Sequence, residues 1–403
     1  MHVNILLSAY SFGAWRGSEA GVGWNVAKGL AERGHKVTVL TTPEFHELNV
    51  SALEKVGLPI ALIEVDCGVS SFNSSTSYHQ WQRRIGLRIQ EICREDCFDL
   101  VHHVTFNQYR GIRDVFYTDL PYVIGPVGGA ETVAIRFFPE LPFRMRVKET
   151  LRYIPVDAVK LGRRLKRNRC GGVVLASTPQ TEYRLRRYAG VSSVSLLPII
   201  AIHDEEIQEG LQRDTDNPYF VFDGGARPEK GARIMVRALA RIWADGKRVP
   251  VKIFAVKDSD RQIFIRYAIS CGLPLEALHM YPFLKRSEVL DLMSRATAFI
   301  SVGFRDAGCM ALLEAVALGL PSVCLDISGQ HWLPDDFATK ISLQGGDIIN
   351  RISTALEKIL IWPIPSASWH ENRVRWLREN MTWKVRISQL EQFYSLALMQ
   401  KSR

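Results

Sequence analysis

Apolar runs of three to six residues recur along the chain, each broken by a Gly-bearing turn and followed by an amphipathic stretch. Ile5-Leu6-Leu7 leads past Gly13, Gly17, Gly21 and Gly23 into a helical pattern that runs to Leu30. Gly34-His35 then turns the chain into Lys36-Val37-Thr38-Val39-Leu40-Thr41-Thr42. Strand, loop, helix, turn and strand in that order predict a βαβ unit. Residues 60–65, 100–104, 122–124 and 172–176 predict further strands, and their near-continuous apolar character suits a parallel sheet covered on both faces.

A polar, acidic stretch over residues 203–217 interrupts this series, after which the pattern begins again. Tyr219-Phe220-Val221-Phe222 leads through Gly224-Gly225 to a helix over about 232–244, followed by strands near 251–255, 297–301 and 322–325. The expectation is an α/β protein of two doubly wound halves, 1–203 and 204–381. The final segment, 382–403, carries a helical pattern through Leu390, Phe393, Tyr394 and Leu396 that docks back onto the body.

Composition narrows the class. With 403 residues, 47% hydrophobic and 23% charged, the chain is too long for one small module and too apolar for disorder. Seven dispersed cysteines (67, 93, 97, 170, 271, 309 and 324), without paired CxxC spacing or companion histidines, signal neither a disulfide framework nor a zinc site; a reducing cytosol is expected. No run of 18 apolar residues supports a spanning helix, and the N-terminal apolar stretch reads as a first buried strand rather than a leader.

The formal net charge is +9, and nearly all of it lies in one window. Between Arg144 and Arg169 ten basic residues face only Glu149 and Asp157. Phe143, Met145, Val147, Leu151, Tyr153, Ile154, Val156, Val159, Leu161 and Leu165 are interleaved with them, on helices interrupted near Pro155. Two readings stand: segment 143–169 rests on an anionic membrane surface, or it is a solvated basic helix face. Nucleic acid is not expected as a partner, because no recognisable reader motif accompanies the charge.

Two constellations carry chemistry. Residues 221–231 (VFDGGARPEKG) place a Gly-bearing loop and Lys230 at a helix N-terminus, where amide N–H groups and an ammonium converge as a diphosphate requires. An ordinary βα turn is the competing reading. Residues 303–321 (GFRDAGCMALLEAVALGLP) set Asp306 eight residues before Glu314, with Gly308 between them. Glu314 stands among Leu312, Leu313, Ala315 and Val316, so it needs a polar partner; a ribose diol would serve, and so would a packing or capping contact.

Both segments resemble the signature of family 4 glycosyltransferases, retaining enzymes of the GT-B fold, in which two Rossmann-like domains face each other across a cleft. Asp306 and Glu314 fall on that family's acid-x7-acid pair, Lys230 on its EKG lysine, and Gly17 on its N-terminal loop. Gly34-His35-Lys36-Val37-Thr38-Val39 resembles its RGHEVTV turn, and Met381-Thr382-Trp383 its closing helix. The resemblance implies transfer of a sugar from a nucleotide-diphosphate donor, with retention and without an obligatory metal or other cofactor. Glu314 would take the donor ribose, Asp306 the transferring sugar and Lys230 the diphosphate. Gly17, Gly224, Gly225, Arg227 and the stretch Ala307, Gly308, Cys309 and Met310 would complete the donor cradle.

Residues 99–103 resemble the family's strand-end DxxHxH, which puts His102 with Asp306 and Lys230 among the catalytic candidates. His103 is a shifted candidate beside it; Glu19, Gly128 and Gly129 either line the acceptor side or only turn the chain. Two positions depart from the pattern: Gly225 stands where the family usually carries Arg, with Arg227 two residues on, and Asp306 replaces the commoner Glu. The leading expectation is therefore a glycosyltransferase that extends a polysaccharide or lipid-linked oligosaccharide in cell-envelope glycan synthesis. It is expected to be cytoplasmic, on the inner face of a bacterial plasma membrane. A catalytically silent GT-B scaffold that binds a nucleotide or protein partner is the alternative. A dinucleotide oxidoreductase is disfavoured because no GxGxxG opens the first helix.

Overall fold

The computed structural model describes residues 2–14, 18–66, 68, 74–168, 170–210, 216–361 and 365–401. The chain divides into two compact units. One comprises Met1–Glu131, Ile154–Ala201 and Trp383–Arg403; the other comprises Thr132–Tyr153 and Ile202–Thr382.

The first unit is built on a parallel seven-stranded sheet. Its strands are β1 (Asn4–Ala9), β2 (Lys36–Thr41), β3 (Ile60–Glu64), β4 (Leu100–Thr105), β5 (Tyr122–Val127), β6 (Gly172–Ala176) and β7 (Val194–Leu196). Their spatial order is β3-β2-β1-β4-β5-β6-β7. Ile5, Leu6, Leu7, Val37, Val39, Leu100, Val101, Val123 and Ile124 are all buried, as strands covered on both faces require. The C-terminal helix Trp383–Lys401 belongs to this unit, and Gly29 lies so close to Ile387 that an added Cβ would stand 2.5 Å from its side chain. The first helix can approach the last only because it carries no side chain there.

The second unit repeats the plan with six parallel strands: β8 (Phe220–Phe222), β9 (Val251–Ile253), β10 (Leu278–Met280), β11 (Ala298–Ser301), β12 (Ser322–Leu325) and β13 (Thr339–Ile341). The order is β10-β9-β8-β11-β12-β13. The helix expected over 232–244 is present as Ala232–Ala244. Ile234, Met235, Ala238, Leu239, Ile242 and Trp243 fall on its buried side at i, i+3/i+4 spacing, with Arg233 and Arg241 exposed. Each fully buried large apolar side chain contributes roughly 1.5–3 kcal/mol.

The core of the second unit takes in part of a segment that the sequence reading kept with the N-terminal half. Val133, Phe137 and Leu141 are buried in the same cluster as Leu239, Ile300 and Val323. The Phe137 ring stacks on Phe304 with centroids 4.4 Å apart, Glu140 pairs with Arg237, and Glu149 pairs with Arg305 at 3.3 Å. The basic window is accordingly divided: helix Phe143–Arg152 lies wholly in the second unit, helix Val156–Arg167 in the first, and Arg169 is outside the described residues.

Candidate active site

In an open doubly wound sheet, ligands bind beyond the carboxyl ends of the strands where the strand order reverses. In the second unit that point lies between β8 and β11, and both chemical constellations emerge there. β8 ends at Phe222 and runs into Asp223-Gly224-Gly225, while β11 ends at Ser301 and runs into the loop that carries Asp306. Asp223, Gly224, Lys230, Asp306, Cys309 and Gln330 line one pocket.

Lys230 sits on the short turn Pro228–Lys230 and reaches Asp306, with Nζ 2.9 Å from Oδ2. Asp306 Oδ1 accepts from the Gly308 N–H at 3.1 Å, so each carboxylate oxygen is held. Burial alone would lower the Lys230 ammonium's pKa, but Asp306 beside it, with Cys309 and Asp223, holds it above the ordinary lysine range. Gly329 locks the other side of this loop, since a Cβ there would stand 2.2 Å from the Asp306 carbonyl oxygen. Cys309 precedes helix Met310–Ala317, and burial, reinforced by the Asp306 charge, pushes its thiol up to about 12, so it stays a neutral lining group. The N–H groups at the start of that helix, with Ala307 and Gly308 before it, form an anion-favouring end.

Glu314 is 7% exposed on the same helix. Burial raises its carboxyl to about 7 even though Arg286 pulls it down, with Glu206 and Asp223 pushing it further up. Asp223 also acts on Lys230, so one carboxylate lies within electrostatic reach of both the expected diphosphate residue and the expected ribose residue. Burial raises the pKa of Asp223 itself, against the pull of Lys230 and Arg227.

The departure at Gly225 is written into the backbone. Its φ is +55°, and a Cβ there would stand 2.7 Å from the Ala255 carbonyl oxygen, so no side chain fits without moving that strand end. Arg227 folds back over its own turn, its Nε donating to the Gly224 carbonyl at 3.3 Å.

The first-unit candidates fall into two groups. Glu19, in the first turn of helix Ser18–Glu32, accepts the Asn107 N–H with both oxygens, at 3.1 and 3.3 Å. Asn107 in turn accepts from the Gly128 N–H at 2.6 Å, and Gly129 donates to Glu131 at 2.7 Å while its carbonyl accepts from Arg110. Glu19, Gly128 and Gly129 are thereby laced into one cluster, and burial raises the Glu19 carboxyl to about 7. Gly17 lies outside the described residues.

The histidines are placed differently. His102 is fully buried: its Nε2–H donates to the Gly125 carbonyl at 2.6 Å, and its Nδ1 accepts from the Tyr394 hydroxyl at 2.7 Å. Burial lowers its pKa to about 4, so the ring is neutral and both nitrogens serve the fold, joining β4 to β5 and to the C-terminal helix. His103 is buried as well, with Nδ1 2.6 Å from Asp114 and Nε2 3.4 Å from the Tyr78 hydroxyl. Although burial opposes it, His103, with hydrogen bonds from Ser8 and Gln82, holds the Asp114 carboxyl below its ordinary value. In this arrangement neither histidine presents an unoccupied ring nitrogen to a sugar.

Residues 203–375 match the family described as glycosyl transferases group 1. No curated protein matches the chain. Among solved structures it is similar to the sucrose-phosphate synthase of Thermosynechococcus elongatus, at 13% identity over 99% of this chain and 100% of that one, with a TM-score of 0.70. It is likewise similar to WaaG, a glycosyltransferase involved in lipopolysaccharide biosynthesis, at 17% identity over 96% and 99% of the two chains, with a TM-score of 0.62. Anabaena HepE, solved in complex with UDP and glucose, matches at 13% identity over 98% and 100%, with a TM-score of 0.64. The family match and this fold together support a glycosyltransferase enzyme of GT-B architecture.

Three side chains at the site carried no functional signal in the sequence. Asp223 stood inside the Gly-bearing loop without an assigned role, and Gln330 and Arg286 belonged to no motif. Among the described residues, no group of three or more His, Cys, Asp or Glu side chains is placed to hold a metal ion.

Proposed function

We propose that the protein is a retaining glycosyltransferase that moves a sugar from a nucleotide-diphosphate donor onto a polysaccharide or lipid-linked oligosaccharide in cell-envelope glycan synthesis. The carrying observation is the Lys230–Asp306 pair, in a pocket at the switch point of the second sheet, with Glu314 on the adjoining helix. The donor's diphosphate takes Lys230 from Asp306, and Asp306 then receives the hydroxyls of the transferring sugar. Glu314 accepts from the ribose diol. Departure of a nucleotide diphosphate builds negative charge, which Lys230 and the N–H groups at the start of helix Met310–Ala317 are placed to meet without an obligatory metal. The UDP and glucose held by HepE support the donor class, and the lipopolysaccharide role of WaaG supports the envelope assignment.

Screening nucleotide sugars against the purified protein, then repeating the positive reaction with Glu314→Ala, tests this reading. We expect at least a hundredfold loss of kcat/KM in the variant with the fold retained by circular dichroism, and no loss on adding EDTA; unchanged turnover in Glu314→Ala refutes it. One observation favours the alternative of a silent scaffold: position 225 has no room for the arginine side chain that the family usually carries there. Tight nucleotide binding without turnover of any sugar would select it.

Attachment to the inner leaflet belongs to the same reading. No helix among the described residues is long and apolar enough to cross a membrane. Helix Phe143–Arg152 turns Glu149 inward and leaves Phe143, Val147 and Leu151 exposed (76, 45 and 60%) on one i, i+4, i+8 stripe beside exposed Arg144 and Lys148. Helix Val156–Arg167 buries Ala158 and Leu161 and exposes Lys160, Arg163, Lys166 and Arg167. Each such cation near an anionic surface contributes about 1 kcal/mol. Co-sedimentation with phosphatidylglycerol vesicles is expected to fall with salt and on charge reversal of Lys160, Arg163 and Arg167. Binding indifferent to both would count against the leaflet.

A further inference from the structure

We infer that Arg286 is the positioning residue for Glu314, gripping one carboxyl oxygen so that the other is aimed at the donor's ribose; the inference rests on the role proposed for Glu314 above. Arg286 opens helix Arg286–Ser294. Its Nε and Nη2 both lie 2.8 Å from Glu314 Oε1, and its Nη1 turns to Glu206. Glu206 is itself fixed, its Oε2 accepting the His203 N–H at 2.9 Å. The planar fork is therefore held from two sides, and both of its contacts with Glu314 fall on one oxygen. A carboxylate gripped through Oε1 keeps the lone pairs of Oε2 for hydroxyl donors.

Charge makes the contact functional rather than only structural. The charged groups that face Glu314 are Arg286 from helix Arg286–Ser294, Glu206 from the turn Asp204–Glu206 and Asp223 from the loop after β8. Two of the three are acidic, and burial acts in the same direction, so Arg286 is the group that opposes protonation. Without it the carboxyl holds its proton to a higher pH, presents an O–H in place of an acceptor site and is free to turn. Arg286 leaves the pocket around Lys230 and Asp306 untouched, which confines the expected effect to donor binding.

The test uses the full-length protein as Arg286→Met, Arg286→Lys, Glu206→Gln and Glu314→Ala. Calorimetry with UDP, GDP and ADP from pH 6 to 9 gives the nucleotide Kd, and steady-state assays with the sugar donor found by screening give KM and kcat. Arg286→Met is expected to raise Kd and donor KM about tenfold or more, with kcat changed less than about threefold. The acidic limb of its binding profile should move upward by about one pH unit or more, with Arg286→Lys recovering part of the affinity. Glu206→Gln weakens the tie to the turn and removes a negative charge facing Glu314 while keeping the Arg286–Glu314 contact, so its acidic limb should move downward, opposite to that of Arg286→Met. A wild-type Kd and an unmoved profile in Arg286→Met, with binding lost in Glu314→Ala, would reduce Arg286 to a structural tie and overturn the inference alone. Full nucleotide binding by Glu314→Ala would overturn both this inference and the reading on which it rests.

Discussion

His102 ends up as a residue of the fold because the geometry that makes a strand-end histidine useful to a ligand also makes it useful to neighbouring strands. The Gly125 carbonyl and the Tyr394 hydroxyl claim its two nitrogens, one from the next strand and one from a helix 292 residues away in sequence. Sequence could show the histidine but not the tyrosine that meets it. Lys230, Asp306 and Cys309 were legible because both loops resemble one family's signature, which neither loop's spacing would have shown alone; Asp223 was not, because an acid beside a Gly-rich turn usually reads as turn chemistry. His102 has a pKa near 6.5 when unfolded and about 4 when folded. Between those values only the unfolded chain takes the proton, so stability is full above pH 6.5 and falls by about 3 kcal/mol on the way to pH 4. Glu19 and Glu314, raised to about 7, act with the opposite slope, stability falling as pH rises from 4.5 to 7. Urea titrations of wild type and His102→Asn at stepped pH isolate the histidine as the difference, and parallel curves from pH 4 to 6.5 would disprove its buried neutral state.

Among elements, long periodic helices were readable and short edge strands were not. Ala232–Ala244 announces itself by six apolar side chains on one face, whereas Leu278–Met280 and Thr339–Ile341 are three-residue strands at the two edges of a sheet, too short to show a period. The helix that carries Glu314 is finished by a residue from far along the chain. Arg373, fully buried, donates through Nη1 to the carbonyls of Val316 and Ala317 at 2.7 and 2.8 Å and through Nη2 to that of Gln208. Burial lowers its pKa to about 10, so it keeps its charge at the negative end of the helix dipole. Arg373→Met should cost about 3 kcal/mol, the scale of losing charged hydrogen bonds to buried carbonyls. Thermal unfolding measures this, and a change below about 0.5 kcal/mol would show that the helix end needs no such cap.

Across the whole molecule, the doubly wound repeat followed from the restart of the apolar pattern after residue 217, but the path of the chain between the two units did not. Thr132–Tyr153 lies in sequence within the first half and packs its apolar side chains into the core of the second. Composition gave no sign of this, because Val133, Phe137 and Leu141 look like any other core residues and the rest of their buried cluster begins only at Phe220. A fragment spanning 202–382 alone lacks these three side chains, roughly 1.5–3 kcal/mol each, a large part of the 5–15 kcal/mol that typically holds a domain folded. It should be recovered mostly as aggregate, and joining 132–153 to it through a flexible linker should return soluble, cooperatively melting protein. Soluble, cooperative 202–382 would mean that the arm is dispensable. The same arm sets the rule for building hybrids with other enzymes of this architecture. Its Phe137 lies under Phe304 and its Glu149 under Arg305, the two residues that lead into Asp306. A chimera that exchanges the second unit must carry two separated stretches of gene together, because a single junction near residue 203 would leave the new pocket resting on a foreign support.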